Sequence, residues 1–590
     1  PDDRTAGGVR PSVNIARNPL LSLRLPVWRT RFVLMLIVAG FIGLAVRALY
    51  LQGLQRDFLQ AEGESRYGRT LQMSAHRGMI TDRHGEPLAV STPVESVWIS
   101  PSTTAEVAPA QRKALAKLLG IGEAELGRKI DAHDRDFAWL KRQLPPEQAE
   151  KVRQLAVPGV FIQREYRRYY PAGDVTSHIL GYTDLDDIGT EGVELAYQNW
   201  LAGKPGSRRV IKDRKGRVIE DVESVRAPQQ GRDLALSIDL KLQYLAYREL
   251  KNAVTLNKAK AASIVVLDVQ TGEVLALANV PTYNPNSRGQ YDTQKARNRA
   301  VVDLFEPGST MKPFTVAAAL DLDRIKPTSV MPTASGAIRV RNHTIRDAHP
   351  AAENLNVAQV IQHSSNVGTA HIAERLAPKE MWSVLSASGF GTVPRLGFPG
   401  ETGGRLRSHD RWTNLDQATM SFGHGVSVSL MQLARAYTIF CSDGEVLPVS
   451  LVKRTEPVVG VPVISARTSQ QMRDMLQLVT QKGGTAPLAQ VVGYSVGGKT
   501  GTAHKVENGG YSAHRYVESF VGFAPVSNPR LIVAVMVDEP DPKRHFGGQV
   551  AAPVVSAVLT GALRMLAVPP DLPIPRSSTF EEIEGVPEDV

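Results

Sequence analysis

Glu306-Pro307-Gly308-Ser309-Thr310-Met311-Lys312-Pro313-Phe314 is the stretch that decides the fold of this 590-residue chain. Pro-Gly breaks the backbone, and the mostly apolar run Phe314–Leu320 then continues as a helix. Ser309 is therefore predicted at a helix N-terminus, with Lys312 three residues on and projecting from the same face. The amine can reach the hydroxyl and take its proton, while the helix dipole and free N–H groups favour the negative charge that develops. Pro313 falls near the first turn, where a missing N–H costs least. The S-x-x-K pattern alone is weak, because about two are expected by chance in a chain of this length. A second occurs at Ser450-Leu451-Val452-Lys453, in a strand-like apolar run behind Pro448, where its Ser and Lys face opposite sides. It is set aside as a decoy.

Downstream, Ser364-Ser365-Asn366 lies between the helical stretches Val357–His363 and Val367–Leu376. A loop Ser and a loop Asn two apart can point into one cleft; helix capping explains them equally well. A similar triplet, Ser12-Val13-Asn14, lies in the basic N-terminal tail. Next comes Lys499-Thr500-Gly501-Thr502, preceded by Val496-Gly497-Gly498. Chance would give roughly 0.1 such motif per chain of this length. Glycines let a ligand backbone approach the strand edge, Lys499 supplies positive charge, and the two Thr hydroxyls can hold a carboxylate. By itself the motif also fits a Gly-rich strand with a solvated lysine.

Around these motifs, Leu242–Leu256 reads as an amphipathic helix and Ser263–Asp268 with Glu273–Ala278 as a β-hairpin. Helical segments dominate residues 309–440, strands return at Gly493–Ala503, Glu518–Phe523 and Leu531–Val537, and a helix at Ala552–Leu566 closes the unit. Strands at both ends of a helical middle imply one α/β layered domain over residues 234–566. Residues 52–233 read as an α+β module. It begins with a helical or extended stalk over residues 52–75. A strand-turn-strand follows at Arg77–Ser91, then a helical pattern over 104–155, and an alternating hairpin at Arg208–Asp221 with a Lys215-Gly216 turn.

Phe32–Val46 carries no charge, and extension to Leu51 gives a span of about 30 Å that includes Arg47. Residues 32–51 are read as an uncleaved transmembrane helix rather than a signal peptide, since no A-x-A site follows. Arg47 can snorkel to the interface or meet a partner helix. Residues 1–31 hold six Arg against two Asp, a net +4, and are read as a disordered basic tail left in the cytoplasm. Residues 567–590 carry six acids, one Arg and five Pro and are read as a flexible acidic tail. The formal net charge is +10, so the intervening part carries +11. With 42% hydrophobic and 22% charged residues, wholesale disorder, collagen and a polytopic membrane protein are excluded. The lone Cys441 excludes an intramolecular disulfide and a thiolate zinc cluster; no metal or cofactor is expected.

In order and spacing, Ser309–Lys312, Ser364–Asn366 and Lys499–Thr502 resemble the S-x-x-K, S-x-N and K-T-G set of penicillin-binding proteins and serine β-lactamases. The single span is similar to class B penicillin-binding proteins. So are the box Arg77–Ala89, Arg168-Tyr169-Tyr170-Pro171, Gly192-Val193-Glu194, Arg297–Pro313 and Phe546-Gly547-Gly548-Gln549. Ser421–Val428 with Gln432–Tyr437 looks most like the division-specific (FtsI-type) subgroup. The resemblance implies a membrane-anchored multidomain protein: an N-terminal transmembrane helix, an α+β pedestal domain, and a C-terminal α/β transpeptidase domain of the penicillin-binding protein / serine β-lactamase type. It implies a septal peptidoglycan D,D-transpeptidase, periplasmic in bulk, in the bacterial inner membrane. Ser309 would be the nucleophile, Lys312 the base, and Ser364 and Lys499 a proton relay. Asn366 would hold the donor amide, and Thr500, Gly501 and Thr502 would form the carboxylate-binding strand. Its implied partners are donor and acceptor stem peptides, β-lactams, a SEDS glycosyltransferase (FtsW-like) and bitopic divisome proteins, with no nucleic acid. No E-x-x-L-N-type element lies between the second and third motifs, so β-lactams should inhibit rather than be turned over. The alternatives are an elongation-type class B transpeptidase and a catalytically weak β-lactam sensor or scaffold.

Overall fold

The computed structural model describes residues 27–54, 68–73, 75–101, 107–132, 134, 137–212, 218–287, 292–507, 510–543 and 546–574. The basic tail up to residue 26, most of the stalk, the Lys215-Gly216 turn and the acidic tail from residue 575 lie outside them. Two compact units are present: residues 1–73 with 207–227, and residues 74–206 with 228–590.

The first unit contains a 23-residue helix, Val27–Leu49. It begins five residues before the expected Phe32, so Arg29 and Arg31 belong to the helix and not to the tail. At about 1.5 Å per residue it is about 35 Å long, enough to cross a hydrocarbon core without the stretch to Leu51. The Arg47 guanidinium lies over the Tyr50 ring, 5.8 Å from its centroid. Strands Gly68–Met73, Gly206–Lys212 and Val218–Arg226 form a three-stranded sheet, the last two antiparallel as the alternating sequence predicts.

In the second unit, Ile80–Thr81 and the long strand Pro87–Ile99 form the expected strand-turn-strand. Pro87–Ile99 also pairs antiparallel with Val160–Tyr169. The region 104–155 is not helical throughout. Helices Pro109–Leu119, Glu123–Ile130 and Pro146–Gln154 are interrupted by the strand Ala138–Leu144, which pairs with Glu95–Ile99. Trp139, in that strand, meets Phe137 edge-on at 4.9 Å, and Phe137 lies 5.0 Å from Trp98, so ring packing across strands overrides the helical pattern.

Three sequence boxes of this region converge. The side chains of Arg77, Arg168 and Glu194 are all fully buried. Glu194 takes Arg77 on one oxygen at 2.6 Å and Arg168 on the other at 2.6 Å. Arg77 further donates to the Asp187 carbonyl and the Gln198 side chain, and Arg168 to Ser91 Oγ. Burying one carboxylate with two guanidiniums is tolerated because most of these donors find acceptors, although Arg168 Nη2 finds none among the described residues.

The rest of this unit is built on a five-stranded antiparallel sheet. Its strands are β1 (Ala261–Asp268), β2 (Val274–Val280), β3 (Gly497–Glu507), β4 (Gly510–Ala524) and β5 (Leu531–Asp538), in the order β2-β1-β5-β4-β3. Every residue of β1 is buried, as expected for a strand covered on both faces. The helices that position the site are α1 (Leu240–Leu256), α2 (Lys312–Asp321), α3 (Val357–Gln362), α4 (Asn366–Ala373), α5 (Leu430–Ala436), α6 (Ala466–Thr480) and α7 (Ala552–Met565). Helices α1 and α7 pack on each other and on the sheet, and α5 packs on β1 and β5. Asp239 caps α1 by accepting from the Lys241 and Leu242 N–H groups. Residues Lys312–Leu320 of α2 are all buried, which fits a helix that is apolar nearly all round.

Candidate active site

The serine turn forms first. Gly308–Met311 is a 3₁₀ turn, and the α-helix begins only at Lys312. Ser309 thus precedes the helix by a turn of tighter pitch than predicted. Gly308 has φ +55°, and a Cβ there would lie 2.8 Å from the Thr502 carbonyl oxygen. Gly501 is closed from the other side: its Cβ would lie 2.7 Å from the Pro307 carbonyl oxygen. The two glycines let the serine turn press directly on β3. The glycine of the Lys-Thr-Gly motif therefore makes room for the protein's own turn, not only for a ligand. Tyr437 holds the turn from beneath, donating its hydroxyl to the Thr310 carbonyl at 2.8 Å.

Lys312 and Lys499 are both fully buried. Lys312 Nζ donates to Ser364 Oγ at 3.1 Å and also to the Ser364 carbonyl. Lys499 Nζ donates to the same Ser364 Oγ at 2.8 Å. Ser364 is held at φ +59°, a region costly for a residue with a Cβ. Burial pushes the Lys312 amine down to about 7, against the Asp347 carboxylate, which favours its charged form. Burial, with the positive charge of Lys312, also holds Lys499 well below the ordinary lysine range. Among the described residues Ser309 Oγ makes no hydrogen bond; the Lys312 amine, expected on that hydroxyl, is turned to Ser364. Catalytic hydrogen bonds commonly tighten only with substrate in place.

The second motif divides its roles. Ser365 is the N-cap of α4, accepting from the Gly368 N–H at 2.9 Å. Asn366 is the first residue of α4 rather than a loop residue, and its side-chain amide donates to the Arg346 carbonyl at 2.8 Å. Asp347, which no motif singled out, accepts from Ser365 Oγ at 2.7 Å and from the Val367 N–H at 3.0 Å. It fixes the start of α4 and faces the buried amine. Only folding brings it here, since the short hairpin before it has no chemical signature.

On β3, Thr500 Oγ1 lies 3.1 Å from Thr485 Oγ1, and Thr502 Oγ1 shares a 2.7 Å hydrogen bond with the buried Glu518. Ser309, Ser364, Asn366, Thr500 and Thr502 all line one cleft of about 690 Å³. At its rim Glu306 binds His424 Nδ1 at 3.0 Å and the Tyr511 hydroxyl at 3.1 Å. The decoy does not assemble. Ser450 Oγ bonds within its own loop, and Lys453 Nζ donates to the Arg83 carbonyl. Cys441 is buried and uninvolved.

Residues 262–560 match the penicillin binding protein transpeptidase domain, and residues 72–236 match the penicillin-binding protein dimerisation domain. The chain is 41% identical over 549 residues to a probable peptidoglycan D,D-transpeptidase PenA of Neisseria meningitidis, covering 92% of this chain and 94% of that one. It is 40% identical to the peptidoglycan D,D-transpeptidase FtsI of Escherichia coli, with coverage of 92% and 93%. Among solved structures, the transpeptidase domain of Burkholderia pseudomallei penicillin-binding protein 3 aligns with TM-score 0.53 and 48% identity, over 57% of this chain and 98% of that one. Penicillin-binding protein 3 of Mycobacterium tuberculosis, solved with aztreonam, aligns with TM-score 0.66 and 26% identity, over 85% and 99%.

Proposed function

The chain belongs to the class B penicillin-binding protein family, and on that premise we propose that it cross-links septal peptidoglycan through an acyl-enzyme on Ser309. It is a serine-type peptidoglycan D,D-transpeptidase. The observation that carries the reading is the placement of Lys312 and Lys499 on one hydroxyl, Ser364, in the cleft that also holds Ser309.

Ser309 Oγ attacks the carbonyl of the penultimate D-Ala of a donor stem peptide, and neutral Lys312 takes its proton. A buried amine near neutrality suits a general base, a role worth about 10²–10⁴-fold. The backbone N–H groups of Ser309 and Thr502 hold the oxyanion, where one lost donor costs about 10²–10³-fold. Ser364 and Lys499 pass a proton to the leaving D-Ala. A side-chain amine of a neighbouring stem peptide then resolves the acyl-enzyme. Asn366 holds the donor amide, and Thr500 and Thr502 hold the terminal carboxylate beside Gly501. β-Lactams acylate the same serine and leave slowly.

Residues 52–233 serve as a non-catalytic pedestal and 234–566 as the transpeptidase domain. The helix Val27–Leu49 anchors the chain, with the N-terminus cytoplasmic and the bulk periplasmic. The span and the pedestal are the surfaces offered to a SEDS glycosyltransferase and to bitopic division proteins.

Fluorescent penicillin tests the assignment. Wild type and Ser450→Ala should label and Ser309→Ala should not; persistent labelling of Ser309→Ala would end the assignment. Depletion in cells should give filaments, and round cells would favour the elongation-type alternative.

A further inference from the structure

Glu518 faces Thr502 directly across the β3–β4 ladder, fully buried, with 2.7 Å between Oε2 and Thr502 Oγ1. Directly opposed side chains on one face of an antiparallel pair meet in this way. No charge balances it: among the described residues Glu518 forms no ion pair. The charged and titratable groups on the packed elements are engaged elsewhere. Lys505 of β3 is held by Asp538 and Glu539, Lys499 by Ser364, and His504 lies against the Tyr516 ring. On β5 the residue opposite Glu518 is Val537. The serine turn and the short helix Gly547–Val550, both packed on these strands, carry no titratable side chain. Burial accordingly holds the Glu518 carboxyl well above the usual carboxylate range, against the Thr502 hydroxyl and the Gly547 N–H, which favour its ionised form.

A threonine hydroxyl has one proton to give. A neutral carboxylic acid can donate to the hydroxyl oxygen; a carboxylate can only accept, and so takes the hydroxyl proton for itself. We propose that Glu518 is a positioning residue that, as the neutral acid, donates to Thr502 Oγ1 and so turns the Thr502 hydroxyl proton toward the carboxylate of the bound stem peptide or β-lactam. Ionisation reverses the bond. The hydroxyl then points away from the ligand, and a like charge stands behind it. This rests on Thr502 as a carboxylate-binding residue in the function proposed above.

The test uses the full chain in detergent and the second-order rate constant for acylation by benzylpenicillin between about pH 6 and pH 10, the range that brackets a raised carboxyl. In Glu518→Gln the amide donates at every pH. The Gln/wild-type ratio should rise about 10- to 100-fold toward alkaline pH, the worth of a hydrogen bond to a charged ligand. The rise should lie in ligand affinity, not in the acylation step. The lysines titrate in both proteins and cancel in the ratio. In a Thr502→Val background the part of the rise owed to the hydroxyl should vanish, leaving only a smaller rise owed to the like charge. Glu518→Ala, with neither donor nor charge, should also lose the alkaline fall, which keeps the test open if the Gln variant folds poorly. A flat ratio with Thr502 present, or an equal rise without it, overturns the proposal. Wild type that is not acylated at Ser309 overturns the functional reading instead.

Discussion

Lys312 Nζ and Lys499 Nζ end on the same oxygen, Ser364 Oγ, at 3.1 and 2.8 Å. Two buried ammonium groups so placed repel each other, so the pair sheds a proton more readily than either lysine in water. In the singly protonated state one amine can accept a proton and the other can give it, with a hydroxyl between them to carry it.

This sets the pH profile. A base works only when neutral, and its neutral fraction falls about tenfold per pH unit below its pKa. Penicillin acylation should therefore rise with pH through about 7, the value to which burial brings Lys312. Asp347→Asn keeps an acceptor for the α4 N–H groups and removes the charge that favours protonated Lys312. Its acid limb should move to lower pH. Stopped-flow acylation across the range decides it; an unmoved or upward limb refutes the role given to Asp347.

Ser364 should show a conflict between stability and activity. At φ +59° a residue with a Cβ is strained, and glycine is not. Ser364→Gly should stabilise the fold by roughly 1 kcal/mol, read from chemical denaturation. The same change removes the shared hydroxyl, so acylation should fall about 10²–10⁴-fold. Loss of stability would show that the Ser364 side chain holds the fold as well as the chemistry.

Gly501→Ala would place a methyl 2.7 Å from the Pro307 carbonyl and 2.4 Å from Ser519 Oγ. The serine turn must then lift off β3, and a misplacement of about 1 Å costs about 10²-fold in acylation. Gly510→Ala, where nothing among the described residues lies within 4 Å, is the control and should acylate as wild type. Equal rates for both variants would show that the close approach of turn and strand is not needed.

Glu194→Gln should destabilise the protein by about 3–5 kcal/mol, because two fully buried guanidiniums lose the one carboxylate between them. A urea melt measures this, and a change below about 1 kcal/mol would mean that the neutral acceptors around Arg77 and Arg168 suffice.

Much of the site was legible because its motifs are local. Ser309 and Lys312 are three apart, and Lys499, Thr500 and Thr502 share one strand, so spacing alone groups them. The five strands of the sheet were readable from their apolar runs for the same reason. What was not legible is what the chain brings together from afar. Asp347 and Glu518 carry no motif, and both matter through burial beside residues distant in sequence. The strand Ala138–Leu144 was missed because the strand it pairs with, around Glu95–Ile99, lies outside any local window. The role of Gly501 needed the position of Pro307, nearly two hundred residues earlier in the chain.

The order of strands in the sheet also governs when activity can begin. β1 and β2 lie early in the domain, yet the second neighbour of β1 is β5; Asp268 and Arg530, 262 residues apart, meet across that junction at 3.5 Å. A chain emerging N-terminus first has Ser309 and Lys312 in place long before Lys499 exists beside them. The edge of the β1–β2 hairpin stays unsatisfied until residue 538 has been delivered. Such distant closure is slow to form and exposes an adhesive strand edge meanwhile. On the function proposed above, the nascent chain should therefore not acylate. The nucleophile proposed at Ser309 would then be armed only by the last strands to arrive, so the fold itself would time first turnover to follow delivery of the strand Leu531–Asp538.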